Sequence, residues 1–112
     1  ITPESFGGLF IPNALSPESG EPGARIFQPI GVGLIEFEIS VYASNGQRVW
    51  HSTHLDEGRP DEFWDGSLDG KPLPQGLYWW KARARFYNGR LWNGMQYGTD
   101  APVMEGKVLL IR

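Results

Sequence analysis

The chain has 112 residues and a net charge of -3 with no run of like charges, so it lacks the basic footprint of a nucleic-acid binder or of a protein drawn to an anionic membrane. It has no cysteine, which excludes disulfides and thiolate metal sites, and no apolar stretch long enough for a membrane helix. Fifteen glycines and nine prolines break a sequence rich in Trp, Phe and Tyr into short apolar runs without helical period, which predicts an all-β domain built on one core.

Residues 1–10 read as a linker and the start of a first strand. The chain opens at Ile1 rather than Met, and the expectation is a piece of a longer protein. The run 8–12 is a short edge strand, because Pro12 cannot donate to a ladder. Residues 16–23 are a loop by composition, and 25–28 form a second short strand stopped by Pro29 and Gly31.

The clearest strand follows. Ile35, Phe37, Ile39, Val41 and Ala43 alternate with Glu36, Glu38, Ser40 and Tyr42, so the first set faces the core. Asn45-Gly46 predicts a two-residue type I′ hairpin into a strand over 47–53. That register sets Ala43 opposite Arg48 and Val41 opposite Trp50, and sends Trp50 inward. Residues 54–76 are mostly irregular and cross between sheets. Within them, Trp64 is read as a core plug beside an Asx turn at Asp65-Gly66.

Gly76 opens the longest strand, 77–87. Tyr78, Trp80, Ala82, Ala84 and Phe86 face the core, while Trp79, Lys81, Arg83 and Arg85 face solvent with Glu36 and Glu38 as cross-strand partners. Asn88-Gly89 signals a second hairpin, followed by Arg90-Leu91-Trp92 and a polar loop with Pro102. The chain closes on 106–112, where Val108 and Leu110 share one face and Lys107, Leu109 and Ile111 the other. About seven short strands predict an immunoglobulin-like β-sandwich over 11–112.

The chemistry-bearing residues are sparse. His51 and His54 lie three apart in an extended segment, point to opposite faces and lack a third ligand for zinc. Asp56, Glu57, Asp61, Glu62, Asp65 and Asp69 match no calcium-loop spacing, so no metal or cofactor is expected. No nucleophile elbow or catalytic triad is evident, and no enzyme is expected. Trp79, Tyr87, Trp92 and Tyr97 would suit an aromatic platform for sugar rings, the mark of a carbohydrate-binding or adhesion module. Residues 106–112 read as a last strand with an exposed edge, open to strand addition by a partner.

Several landmarks resemble a known family when taken in order. They are Ile11-Pro12-Asn13-Ala14, Phe27-Gln28-Pro29-Ile30-Gly31, the hairpin 39–52, Trp64-Asp65-Gly66, Gly70-Lys71-Pro72, Pro74-Gln75-Gly76-Leu77-Tyr78 and the terminal 106–112. The set is similar to the gliding-motility-associated C-terminal domain, the type B sorting domain of the type IX secretion system, over about 11–112. The resemblance implies a non-catalytic export tag behind N-terminal passenger domains of the same chain. The outer-membrane secretion machinery would read the tag in the periplasm and deliver the passenger to the cell surface or the medium, without membrane insertion. It makes Trp64, Asp65, Gly66, Gly70, Pro74, Gly76 and Tyr78 a structural signature. Lys107, Val108, Leu109, Leu110, Ile111 and Arg112 become the partner-recognition segment. Two features depart from the family: loop 16–23 has no Asp to suit a cation, and the stretch 89–105 is longer than usual.

Overall fold

The structure, a computed structural model, describes residues 7–95 and 103–112. The expected contents of 1–6, Tyr97 and Pro102 lie outside the described residues. Within them the strands are β1 Gly8–Phe10, β2 Ala14–Leu15, β3 Ile30–Val32, β4 Leu34–Tyr42, β5 Arg48–Ser52, β6 Leu55–Asp56, β7 Arg59–Pro60, β8 Ser67–Leu68, β9 Lys71–Pro72, β10 Gly76–Phe86 and β11 Glu105–Leu110. Apart from a short 3₁₀ helix at Pro22–Ala24, these strands and their turns carry the fold. The domain is all-β and sandwich-like. One layer is a five-stranded sheet in the order β2-β11-β10-β4-β5, antiparallel except where β2 runs parallel to β11. The opposing layer is pieced together from the β1–β3 pair, the ribbons β6–β7 and β8–β9, and a bridge between Phe27 and Trp64.

The core lies between these layers. Ile11, Leu15, Phe27 and Trp64 meet Ile39, Val41, Trp80, Val108 and Leu110, each no more than 2% exposed. Along β10 the expected alternation holds throughout, with Tyr78, Trp80, Ala82, Ala84 and Phe86 all buried. Glu36 and Glu38 accept from Arg85 and Arg83 Nε at 2.6 and 2.8 Å across the ladder, as their positions on the outer face predict.

Bulges rewrite the two ends of β4. Ile35, expected inside, is 54% exposed, and Leu34 is buried in its place. The ladder steps from Arg85–Glu36 to Phe86–Leu34, so Ile35 is an extra residue with no partner. At the other end Val41 pairs with Trp50 as expected, but Tyr42, not Ala43, faces Arg48. The skipped residue, Val49, is buried, while Trp50 sits half-buried at the rim with its ring edge-on to Phe27, 6.0 Å between centroids.

Turn chemistry explains that second slip. Only Gly46 is left-handed, and its N–H donates to Ala43 O at 2.9 Å while Ala43 N–H reaches Gln47 O at 2.8 Å. The connection is therefore a three-residue loop, a turn closed by a left-handed glycine, and not the expected type I′. Asn45 Oδ1 accepts from Gln47 N–H at 2.9 Å and locks it. The Asn88-Gly89 hairpin repeats the same bonds, with Gly89 to Phe86 O at 2.8 Å, Phe86 to Arg90 O at 2.8 Å and Arg90 to Asn88 Oδ1 at 3.0 Å.

Residues 54–76 are more regular than expected. Glu57-Gly58 and Asp69-Gly70 have positive φ at both positions (52° and 81°, 53° and 80°), which makes them the type I′ turns of β6–β7 and β8–β9. The strand expected over 25–28 is absent. Phe27 only exchanges backbone hydrogen bonds with Trp64, at 2.8 and 2.9 Å, and Pro29 has no N–H to extend the pairing. A strand begins only at Ile30, just past Pro29, with Gly31 inside it. A Cβ there would lie 3.0 Å from Gly8 O, so the glycine permits the close approach of β1.

Candidate functional site

Most of the signature residues converge. Trp64 is 2% exposed, donates from Nε1 to Ser67 O at 3.0 Å, and meets the Tyr78 ring edge-on at 5.3 Å. Asp65 Oδ1 accepts from the Ser67 N–H at 3.1 Å and from its hydroxyl at 2.5 Å, which is the expected Asx turn. Gly66 follows at φ 84°, where a Cβ would fall 2.9 Å from Leu110 Cδ1. The Tyr78 hydroxyl donates to Pro74 O at 2.8 Å, four residues upstream. That bond is the tyrosine corner found in immunoglobulin-type sandwiches. Burial pushes the Tyr78 hydroxyl pKa up, with nearby Arg112 opposing the shift. Gly70 lies apart, in the exposed β8–β9 turn.

The recognition segment divides in three. Val108 and Leu110 are fully buried core residues and cannot meet a partner in the folded domain. Lys107, Leu109 and Ile111 point outward, the two apolar ones 43% exposed. Arg112 turns back into its own fold. Its Nε donates to Leu73 O at 2.7 Å, Nη2 to Gly66 O at 2.9 Å and Nη1 to Glu18 at 3.4 Å, while its backbone N–H reaches Gln75 Oε1 at 2.8 Å. The side chain is only 22% exposed, so Arg112 is a clasp across three loops.

The expected open edge is also closed where it was to be used. β11 lies between β10 and β2, and Leu109 and Ile111 donate to Asn13 O and Leu15 O at 2.9 Å each. Strand addition along 109–111 is therefore blocked by the chain itself.

The aromatic platform does not form as expected. Trp92 is buried, its ring 6.3 Å from that of Trp80 and its backbone N–H donating to Ala84 O at 2.9 Å. Trp79 and Tyr87 share the outer face but stand eight residues apart, roughly 26 Å along the strand. Trp79 is 39% exposed and carries Lys107 Nζ 5.7 Å from its ring centroid. Its ladder partner is Tyr42, over which Lys81 Nζ stands at the same distance of 5.7 Å. The pairing of these two rings was hidden in the sequence, because a long connection separates β4 from β10 and no hairpin turn sets their register.

The histidines are held by separate carboxylates. His51 Nε2 and Arg83 Nε share Glu38, at 3.0 and 2.8 Å, and these bonds hold the Glu38 carboxyl below its ordinary value. His54 Nδ1 lies 2.5 Å from Asp61, whose hydrogen bond raises the imidazole pKa. Glu62 accepts from the buried Ser52 hydroxyl at 2.5 Å. Among the described residues no three His, Asp or Glu side chains gather as a metal site.

No protein-family model matches the chain, and no curated protein matches it.

Proposed function

We propose that this domain is a non-catalytic C-terminal sorting module of the type IX secretion system. It would be recognised as a folded unit by outer-membrane secretion components and would carry N-terminal passenger domains to the cell surface or medium. The observation that carries the reading is the convergence of three of the motifs behind the resemblance. Trp64-Asp65-Gly66, Pro74 through Tyr78 and the terminal Arg112, scattered over 64–112, meet in one cluster through the 5.3 Å ring contact, the tyrosine corner and the arginine clasp. A set of motifs that depend on one another is what a shared domain architecture leaves in sequence.

The experiment is fusion of the chain to a periplasmic reporter in a host with the secretion system. The expected result is reporter on the surface or in the medium, lost when the secretion system is inactivated. A folded fusion that stays in the periplasm overturns the proposal.

A further inference from the structure

A groove of about 660 Å³ crosses the outer face of the five-stranded sheet, with Tyr42, Trp79, Lys81, Glu105 and Lys107 in its lining and the 43–46 hairpin as one wall. Tyr42 and Trp79 are direct ladder partners, so their rings rise side by side, with Cβ atoms about 5 Å apart. Each ring has one ammonium group beside it, Lys81 at Tyr42 and Lys107 at Trp79, both 5.7 Å from the centroid.

The charges of this face are unevenly spent. Arg83 and Arg85 are bound to Glu38 and Glu36, whereas Lys81 and Lys107 form no ion pair among the described residues. Glu105 is the ladder partner of Lys81, so the groove sets two ammonium groups against one carboxylate.

We propose that this groove binds acidic saccharides. The pyranose C–H face stacks on Trp79 and Tyr42, and the uronate carboxylate or sulfate is held by Lys81 and Lys107. The lysine stems are flexible and can swing from ring face to ligand anion without moving the backbone. An extended acidic peptide fits less well, because β10 is hydrogen-bonded to β4 and β11 on both sides here and offers no free backbone groups. This site is independent of the sorting proposal and stands whether or not the domain is exported.

The test is calorimetric titration of the intact chain at low ionic strength with a galacturonate oligomer and with a sulfated disaccharide. Maltotriose serves as the neutral control and polyglutamate as the acidic peptide. The expected result is saturable binding of at least one acidic saccharide, weaker at higher salt and absent for maltotriose. The Lys81→Gln/Lys107→Gln pair should lower the affinity about a hundredfold, since each of the two charged hydrogen bonds lost is worth roughly tenfold. Trp79→Ala should also lower it, with melting recorded for both variants to show that they fold. No saturable binding at millimolar saccharide overturns the proposal. So does binding that survives the lysine substitutions, or equal binding of maltotriose or polyglutamate.

Discussion

Arg112 and Lys107 are both cations near the C-terminus, yet they do different work. Arg112→Ala strips donors from Gly66 O and Leu73 O and opens the clasp, so it should lower stability by roughly 1–3 kcal/mol. Lys107→Ser removes an exposed side chain and should change stability by less than about 0.5 kcal/mol. Paired denaturant melts check both, and equal effects would deny the clasp. Trp64→Ala, a fully buried ring, should cost about 3–5 kcal/mol by the same measurement. The exposed pairs give a weaker, pH-dependent signal. His54 is raised above 6.5, so its contribution is full below that value and fades as pH climbs through the folded pKa. Glu38 is lowered below 4.5, so its contribution is full above that value and is lost as pH falls through the folded pKa. Together they predict a shallow stability maximum between these limits in melting against pH. Asp61→Asn should remove the alkaline slope and return the His54 NMR titration toward its ordinary value.

Among the elements, strand faces were legible and strand ends were not. The period of two in β10 survives because that strand is paired on both sides for most of its length, so any slip would turn the whole apolar set outward. At the ends of β4 one bulge cancels Ile35 and another sends Val49 inward, and neither leaves a compositional mark. Turn type is hidden in the sequence for a related reason. Asn-Gly permits a type I′ turn without requiring one, and here the side-chain oxygens of Asn45 and Asn88 bond the backbone two residues on and favour the longer loop. Gly46→Ala and Gly89→Ala should each cost about 1–2 kcal/mol, the cost of a left-handed Cβ. Their effects should add in the double variant, because the loops close opposite ends of the sheet. Glu57 is the reverse case, a long side chain at φ 52° where Gly and Asn are at ease. Glu57→Asn should raise stability by about 0.5–1 kcal/mol, read from the urea midpoint.

For the molecule as a whole, the all-β sandwich-like class and its core aromatics could be read directly, whereas the place of the last strand could not. Position at the end of the chain suggested an edge, but order in sequence does not set order in a sheet, and the parallel pairing of Ala14–Leu15 encloses β11 from the far side. The same gap hid Trp92, whose burial depends on where the chain goes after Gly89. These placements decide what a truncation can teach about export. Removing residues 107–112 takes away Val108 and Leu110, both fully buried, together with the clasp and most of the ladder that covers Tyr78 and Trp79. Two such side chains contribute about 1.5–3 kcal/mol each, and with the clasp and the ladder the sum approaches the ~5–15 kcal/mol that holds a domain together. The truncated chain should therefore lose its cooperative melting transition, and a failure to export it would report unfolding alone. Leu109→Ser with Ile111→Ser, on the outer face of the same strand, should keep a sharp transition. If that variant is folded and stays in the periplasm, the outer face of β11 is read by the export machinery. If a truncated chain melts as sharply as the full one, β11 is not part of the core.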